Sequence, residues 1–226
     1  MKIILALTLA IGLLCSPVCA QAPGPDGLYF RMKMAFGTFS QDHWWFLKDG
    51  RYLNSVPSGG LDPAAFETTC QKIPTACGTY KVEGAAIQMT PRNGKPFTLR
   101  FRQIGDGNLE LDGLFTKHVE KFGSNAKLDG HYSWSGGASG GGTAVSASRG
   151  YQFNPDGTFS TSSLAGVSAG KFGESSAGAG SGTYKLSGNI LELTSGGKTT
   201  IHIAYPYSLG TEVRLNLDGE MYKKDR

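Results

Sequence analysis

The chain has 226 residues, with 22 Lys plus Arg against 18 Asp plus Glu and a formal charge of +4. Charged residues make up 18% of it, below the roughly 25% of an average globular protein, and its 33 glycines are about twice the usual share. The basic residues are scattered, which argues against the clustered basic face of a nucleic-acid binder, and this composition fits many short strands joined by tight turns rather than a helical bundle.

At the start of the chain Lys2 precedes an apolar run from Ile3 to Leu14 and the small-residue site Val18-Cys19-Ala20. Residues 1–20 read as a secretory signal peptide cleaved near Ala20, too short for a transmembrane anchor. No later stretch is apolar enough to span a bilayer. The expected mature chain, from about Gln21, is periplasmic or secreted, and without Lys2 it carries 21 basic against 18 acidic residues, a charge of about +3. Two of the four cysteines leave with the leader. Cys70 and Cys77 remain, and in an oxidising compartment they are expected to form a structural disulfide contributing about 2–3 kcal/mol. Zinc would need further ligands, and a redox pair the tighter C-x-x-C spacing.

The mature chain then alternates short apolar/polar runs with turn residues. Strands are expected at 27–36, 43–48, 51–55, 78–83, 86–90, 96–103, 107–112 and 114–118. A second series follows at 130–135, 145–154, 157–162, 182–187, 189–194, 198–205, 211–217 and 219–223. Asp-Gly, Glu-Gly and Ser-Gly pairs between them supply the positive φ of tight hairpins. One short helix is expected after Asp62-Pro63, an N-cap and first-turn pair, stopped by Pro74 and capping one end of the first barrel. The Gly/Ser/Ala tracts Ser135–Gly142 and Ser160–Ser181 read as mobile loops, since they cannot bury apolar surface.

The two series are copies of one another. Cys77-Gly-Thr-Tyr-Lys-Val-Glu-Gly-Ala-Ala-Ile-Gln-Met-Thr90 returns as Ser181-Gly-Thr-Tyr-Lys-Leu-Ser-Gly-Asn-Ile-Leu-Glu-Leu-Thr194, six of fourteen positions identical. Asp26-Gly-Leu-Tyr29 returns as Asp129-Gly-His-Tyr132, and Leu109-Glu-Leu-Asp-Gly113 as Leu215-Asn-Leu-Asp-Gly219. The offset is too long for propeller blades or solenoid turns and matches the duplication of a small domain. The domains expected are 21–122 and 123–226. The fold class is all-β: two tandem small up-and-down antiparallel β-barrels, with one short helix in the first. A single larger barrel built from both copies remains open at this point.

Gly-x-Tyr opening each copy, the Phe-x-x-Asp-Gly-x-aromatic hairpin, Gly-Thr-Tyr before an alternating strand, and the final Leu-x-Leu-Asp-Gly pair together resemble lipocalin-like domains of bacterial exported proteins. Where true lipocalins begin Gly-x-Trp, this chain has Tyr29 and Tyr132. The resemblance implies a calycin-type barrel and specifies no catalytic residues.

Alternation places Trp44, Phe46, Tyr80 and Val82, their counterparts Tyr151, Phe153, Tyr184 and Leu186, and one face of Phe97, Leu99 and Phe101 inside the barrels. Trp45 and Leu47 fall on the opposite face, where the second copy has the polar Gln152 and Asn154. An apolar outer face in one copy only calls for a partner, either the second domain or another protein. His43, Arg100 and Arg102 are further candidates for ligand or partner binding. His118, His131 and His202 lack metal-ligand spacing, and no G-x-S-x-G elbow or phosphate-cradling loop occurs. No catalytic residue, metal or cofactor is assigned. The leading expectation is a non-enzymatic binding protein for a small apolar or amphipathic ligand or for an envelope protein. The alternatives are a structural or interaction module of the cell envelope with filled barrels, and a small-barrel enzyme using His43 beside Asp42.

Overall fold

The computed structural model describes residues 24–35, 38–141, 143–169 and 172–225. The expected signal peptide lies outside the described residues. Sixteen strands form two separate closed barrels, each of eight antiparallel strands in sequence order. This settles the choice between two barrels and one larger barrel. The first comprises β1 (Gly27–Ala35), β2 (Thr38–Phe46), β3 (Arg51–Leu53), β4 (Cys77–Glu83), β5 (Ala86–Pro91), β6 (Phe97–Gln103), β7 (Leu109–Leu111) and β8 (Leu114–His118). The second comprises β9 (Gly130–Gly140), β10 (Thr143–Phe153), β11 (Thr158–Ala169), β12 (Phe172–Ser187), β13 (Ile190–Ser195), β14 (Lys198–Leu209), β15 (Glu212–Leu217) and β16 (Glu220–Lys224). The last strand meets the first through two residue pairs in each case: Tyr29 with His118 and Phe30 with Lys117, then Tyr132 with Lys224 and Ser133 with Lys223.

The repeated hairpin shows why its residues return. At Gly84 and Gly188 φ is 60° and 57°, the left-handed conformation its turn requires. At Gly78 and Gly182 an added Cβ would stand 2.0 and 1.9 Å from the carbonyl oxygens of Thr90 and Thr194, so the paired strand leaves room only for glycine. Tyr80 and Tyr184 then donate their hydroxyls to backbone carbonyls, Tyr80 to Pro25 and Leu47, Tyr184 to Leu128 and Asn154. These bonds tie the hairpin to the neighbouring turn and to the segment leading into each barrel.

Period-two alternation fills each interior. Tyr29, Trp44, Phe46, Tyr52, Val82, Ile87, Met89, Leu99, Phe101, Leu109 and Leu111 form the first core. The second is built on Tyr132, Phe153, Phe159, Tyr184, Leu191, Leu193, Leu215, Leu217 and Tyr222. Phe97, expected inside with Leu99 and Phe101, is 40% exposed, whereas those two are buried.

Two expectations are corrected. The helix α1 (Pro63–Lys72), whose N-cap Asp62 accepts from the Ala65 amide, does not cap a barrel end. It lies on the outer wall of the first barrel, between the barrels, with Phe66 edge-on against Trp45 at 5.9 Å between ring centroids. Cys70 on this helix and Cys77 opening β4 lie at disulfide distance, their Cα atoms 5.7 Å apart. The described residues of the glycine-rich tracts are not loops, apart from the turn at Gly141, but extensions of β9 to β12, paired residue for residue as far out as Thr143 with Gly140 and Ala169 with Phe172. Backbone hydrogen bonding alone holds them in register, which is why side-chain hydrophobicity gave no sign of strand there.

Candidate functional site

The sequence candidates separate into two places. Trp45 is buried in a cluster with Leu28, Phe30, Leu53, Phe66 and the disulfide cysteines, and Ile203 and Tyr205 of the second barrel complete it. Leu47 packs at its edge. His43 is in the same seam: its Nε2 stands 2.8 Å from the Tyr205 hydroxyl. Burial pushes the His43 imidazole down to about 4, against the opposing pull of the Asp42 charge. Asp42 itself faces the barrel interior, held by Arg31 and Lys33. Burial raises its carboxyl, but these two cations outweigh that and hold it below the usual range. Successive strand residues point to opposite faces, so His43 and Asp42 make no dyad. Further bonds cross the seam from Asn216 Nδ2 to Gln41 Oε1 at 3.0 Å and from the Tyr207 hydroxyl to Met32 Sδ at 2.9 Å.

Arg100 and Arg102 lie elsewhere, on the solvent side of β6. Arg102 pairs with Glu110 at 2.5 Å. The Arg100 amide donates to Asp112 Oδ1 at 2.8 Å. The structure therefore brings Trp45, Leu47 and His43 together and leaves the two arginines apart from them.

The interiors differ more than their shared hairpins suggest. In the first barrel, β6 places Leu99 and Phe101 in the core and Phe97, on the same face but half-exposed, at the rim, opposite Ile87 and Met89. In the second, β14 occupies the same register against Leu193 and Leu191 with Thr200, His202 and Ala204. Two large apolar side chains are replaced by Thr and Ala and the third by His. A cavity of about 260 Å³ opens at this mouth, lined by Tyr151, Phe159, Thr161, Gly180, Leu193, Ser195, Lys198, Thr200 and His202. Its floor is apolar, Phe159 and Leu193, and its rim is polar.

His202 is fixed within that rim. Its Nδ1 is 2.6 Å from Asp218 Oδ2 and its Nε2 is 3.0 Å from the Thr200 hydroxyl. Asp218 is held in turn: its other oxygen accepts from the Ile203 amide at 2.8 Å, and its φ of 51° marks a tight turn. Asp112 makes the same turn in the first copy, φ 52°, but has no histidine to hold. Burial raises the Tyr151 hydroxyl above its ordinary range, with the Arg149 charge opposing. Arg149, next along this inward face, lies over the Trp134 ring at 5.7 Å. Among the described residues neither Lys198 nor Arg149 has a carboxylate partner. The first interior carries its own unpaired groups: the Trp44 Nε1–H and the Tyr52 hydroxyl, pushed up to about 12 by burial, have no hydrogen-bond partner among the described residues.

Sequence reasoning weighed His202 only as a metal ligand. The signal that would have found the mouth is the constant spacing of the copies, because Phe97, Leu99 and Phe101 laid on the second repeat give Thr200, His202 and Ala204. No group of three or more His, Cys, Asp or Glu suited to a metal occurs among the described residues. No described helix is long and apolar enough to cross a membrane. Comparison with protein-family models, with curated proteins and with solved structures finds no match.

Proposed function

We propose that this is an exported, lipocalin-like binding protein that takes a small amphipathic ligand in the mouth of its second barrel, while the first barrel serves as a filled support. The observation that carries this reading is the exchange of Phe97, Leu99 and Phe101 for Thr200, His202 and Ala204 at one register of a duplicated fold. A merely structural barrel gains nothing by giving up apolar filling at that register. The cavity of about 260 Å³ falls just under the usual range of small-molecule sites, about 300–1,000 Å³, so the ligand is small. Phe159, Leu193 and Tyr151 meet its apolar body, and Lys198, with no carboxylate of its own, meets an acidic head. His202, oriented by Asp218, and the Thr200 hydroxyl bonded to its other ring nitrogen form the polar wall beside it.

Calorimetric titration with a short aromatic carboxylate and with the corresponding neutral amide tests this. The acid is expected to bind about tenfold more tightly than the amide. That preference should disappear in Lys198→Gln, and all binding should disappear in the double variant Thr200→Phe/His202→Leu, which restores the first barrel's filling. Equal binding by that double variant would place the ligand elsewhere and overturn the assignment.

A further inference from the structure

The four strands β9 to β12 run well past the rim of the second barrel. β13 stops covering the edge of β12 where Thr183 pairs with Thr194 and Ser195 Oγ donates to the Ser181 carbonyl. Between Gly173 and Gly180 no described strand pairs with that edge, so half of its backbone N–H and C=O groups point away from β11 without a strand partner. Natural sheets blunt such edges with lysine, proline, bulges or a covering element, and among the described residues none of these stands on 173–180. The run Gly-Glu-Ser-Ser-Ala-Gly-Ala-Gly contains one charge, Glu174, and no side chain bulky enough to hold a second backbone away.

A second feature is independent of the backbone. Of the nine exposed large apolar side chains among the described residues, Val145, Leu164 and Val167 stand on this extension. Val145 is paired with Val167 across β10 and β11, and Val167 with Glu174 on β12. Leu164 lies opposite Ala177 on the other face. Apolar residues beside an unblunted edge are what an added strand would shield.

We propose that the Gly173–Gly180 edge joins two copies of this chain, β12 against β12 in antiparallel register about a twofold axis. The placement of Glu174 selects this occupant and this direction. With the axis through Ser176 or Ala177, Glu174 of each copy faces Gly178 or Gly180 of the other, and the two carboxylates lie roughly 14–20 Å apart. Parallel in-register addition would stack them as neighbours at about 5 Å. The antiparallel join keeps each face of the sheet continuous and adds about eight backbone hydrogen bonds. It makes an isologous contact, the kind that closes at two subunits.

Sedimentation of the mature chain across micromolar concentrations is expected to show twice the monomer mass. Ser176→Cys and Ala177→Cys decide whether β12 is the contact, because a cysteine on the axis meets its twin within disulfide reach. At least one should give a covalent dimer on mild oxidation, while Val145→Cys, two strands away, should not. These variants leave the backbone unchanged and do not depend on disrupting the fold. A monomer at all concentrations overturns the proposal, as does a dimer that neither cysteine traps. A strand captured from another protein would show itself as the first of these outcomes.

Discussion

The two barrels share one plan and differ in what fills them and in what covers them. The first is filled with aromatic and aliphatic side chains and carries an apolar outer wall, a helix and a disulfide. The second meets that wall with Ile203 and Tyr205, has no helix and no cystine among its described residues, and its mouth is hollow. Equivalent positions show the divergence. Leu28 and Trp45 of the first barrel, buried in the seam, correspond to His131 and Gln152 of the second, which face outward. Arg31 and Asp42, an ion pair inside the first barrel, correspond to Trp134 and Arg149, a cation over an aromatic face. Duplication left the turn residues and core tyrosines untouched and let the side chains between them diverge.

The sharpest way to break this comparison is to hollow the first barrel at the position where the second is already small. Phe101→Ala removes a buried ring where the second barrel has Ala204, and it should cost about 3–5 kcal/mol in urea unfolding. A loss below about 1 kcal/mol would mean that the first interior is not packed there. The seam comes next. His43 titrates at about 4 in the folded chain against 6.5 when free. Between those values the unfolded chain takes up a proton that the folded chain refuses, so stability falls as pH drops from 6.5 towards 4. This group adds no pH dependence above 6.5 or below 4. The loss is on the order of 3 kcal/mol, and His43→Gln should remove that part of the slope when urea midpoints are compared at neutral and acid pH. The disulfide has no counterpart in the second copy. Cys70→Ser/Cys77→Ser should lower stability by about 2–3 kcal/mol, read as an earlier unfolding of the first barrel with the second little changed. The smallest effect belongs to an exposed pair. Arg102→Ala should shift stability by no more than about 1 kcal/mol, and a larger change in the melting curve would give that arginine a role the structure does not.

Much of this fold could be read from the residues. Asp-Gly and Ser-Gly turns separated the strands, Asp62 and Pro74 bounded the helix, and alternation at Trp44–Leu47 separated an inner from an outer face. What could not be read has physical causes. The extensions of β9 to β12 are held by the main chain, so Gly, Ser and Ala there carry no periodic apolar signal. The seam depends on Ile203 and Tyr205, more than a hundred and fifty positions from Trp45, and nothing local to either strand announces the other. The mouth of the second barrel is an absence of bulk, and it becomes visible only when both copies are laid side by side at Phe97 and Thr200.

Each barrel is sealed by only two residue pairs between its last strand and its first, whereas β10 and β11 share eleven. Local unfolding takes the least protected route; in the second half that route runs along the junction of the terminal strands, and in the first the junction of β2 with β3, also of two pairs, is as thin. Amides of β8 and β16 should exchange with solvent before those of the central hairpins. Transient parting there would give each interior a side door, distinct from the open mouth, through which water reaches buried groups such as Tyr52 without the barrel coming apart.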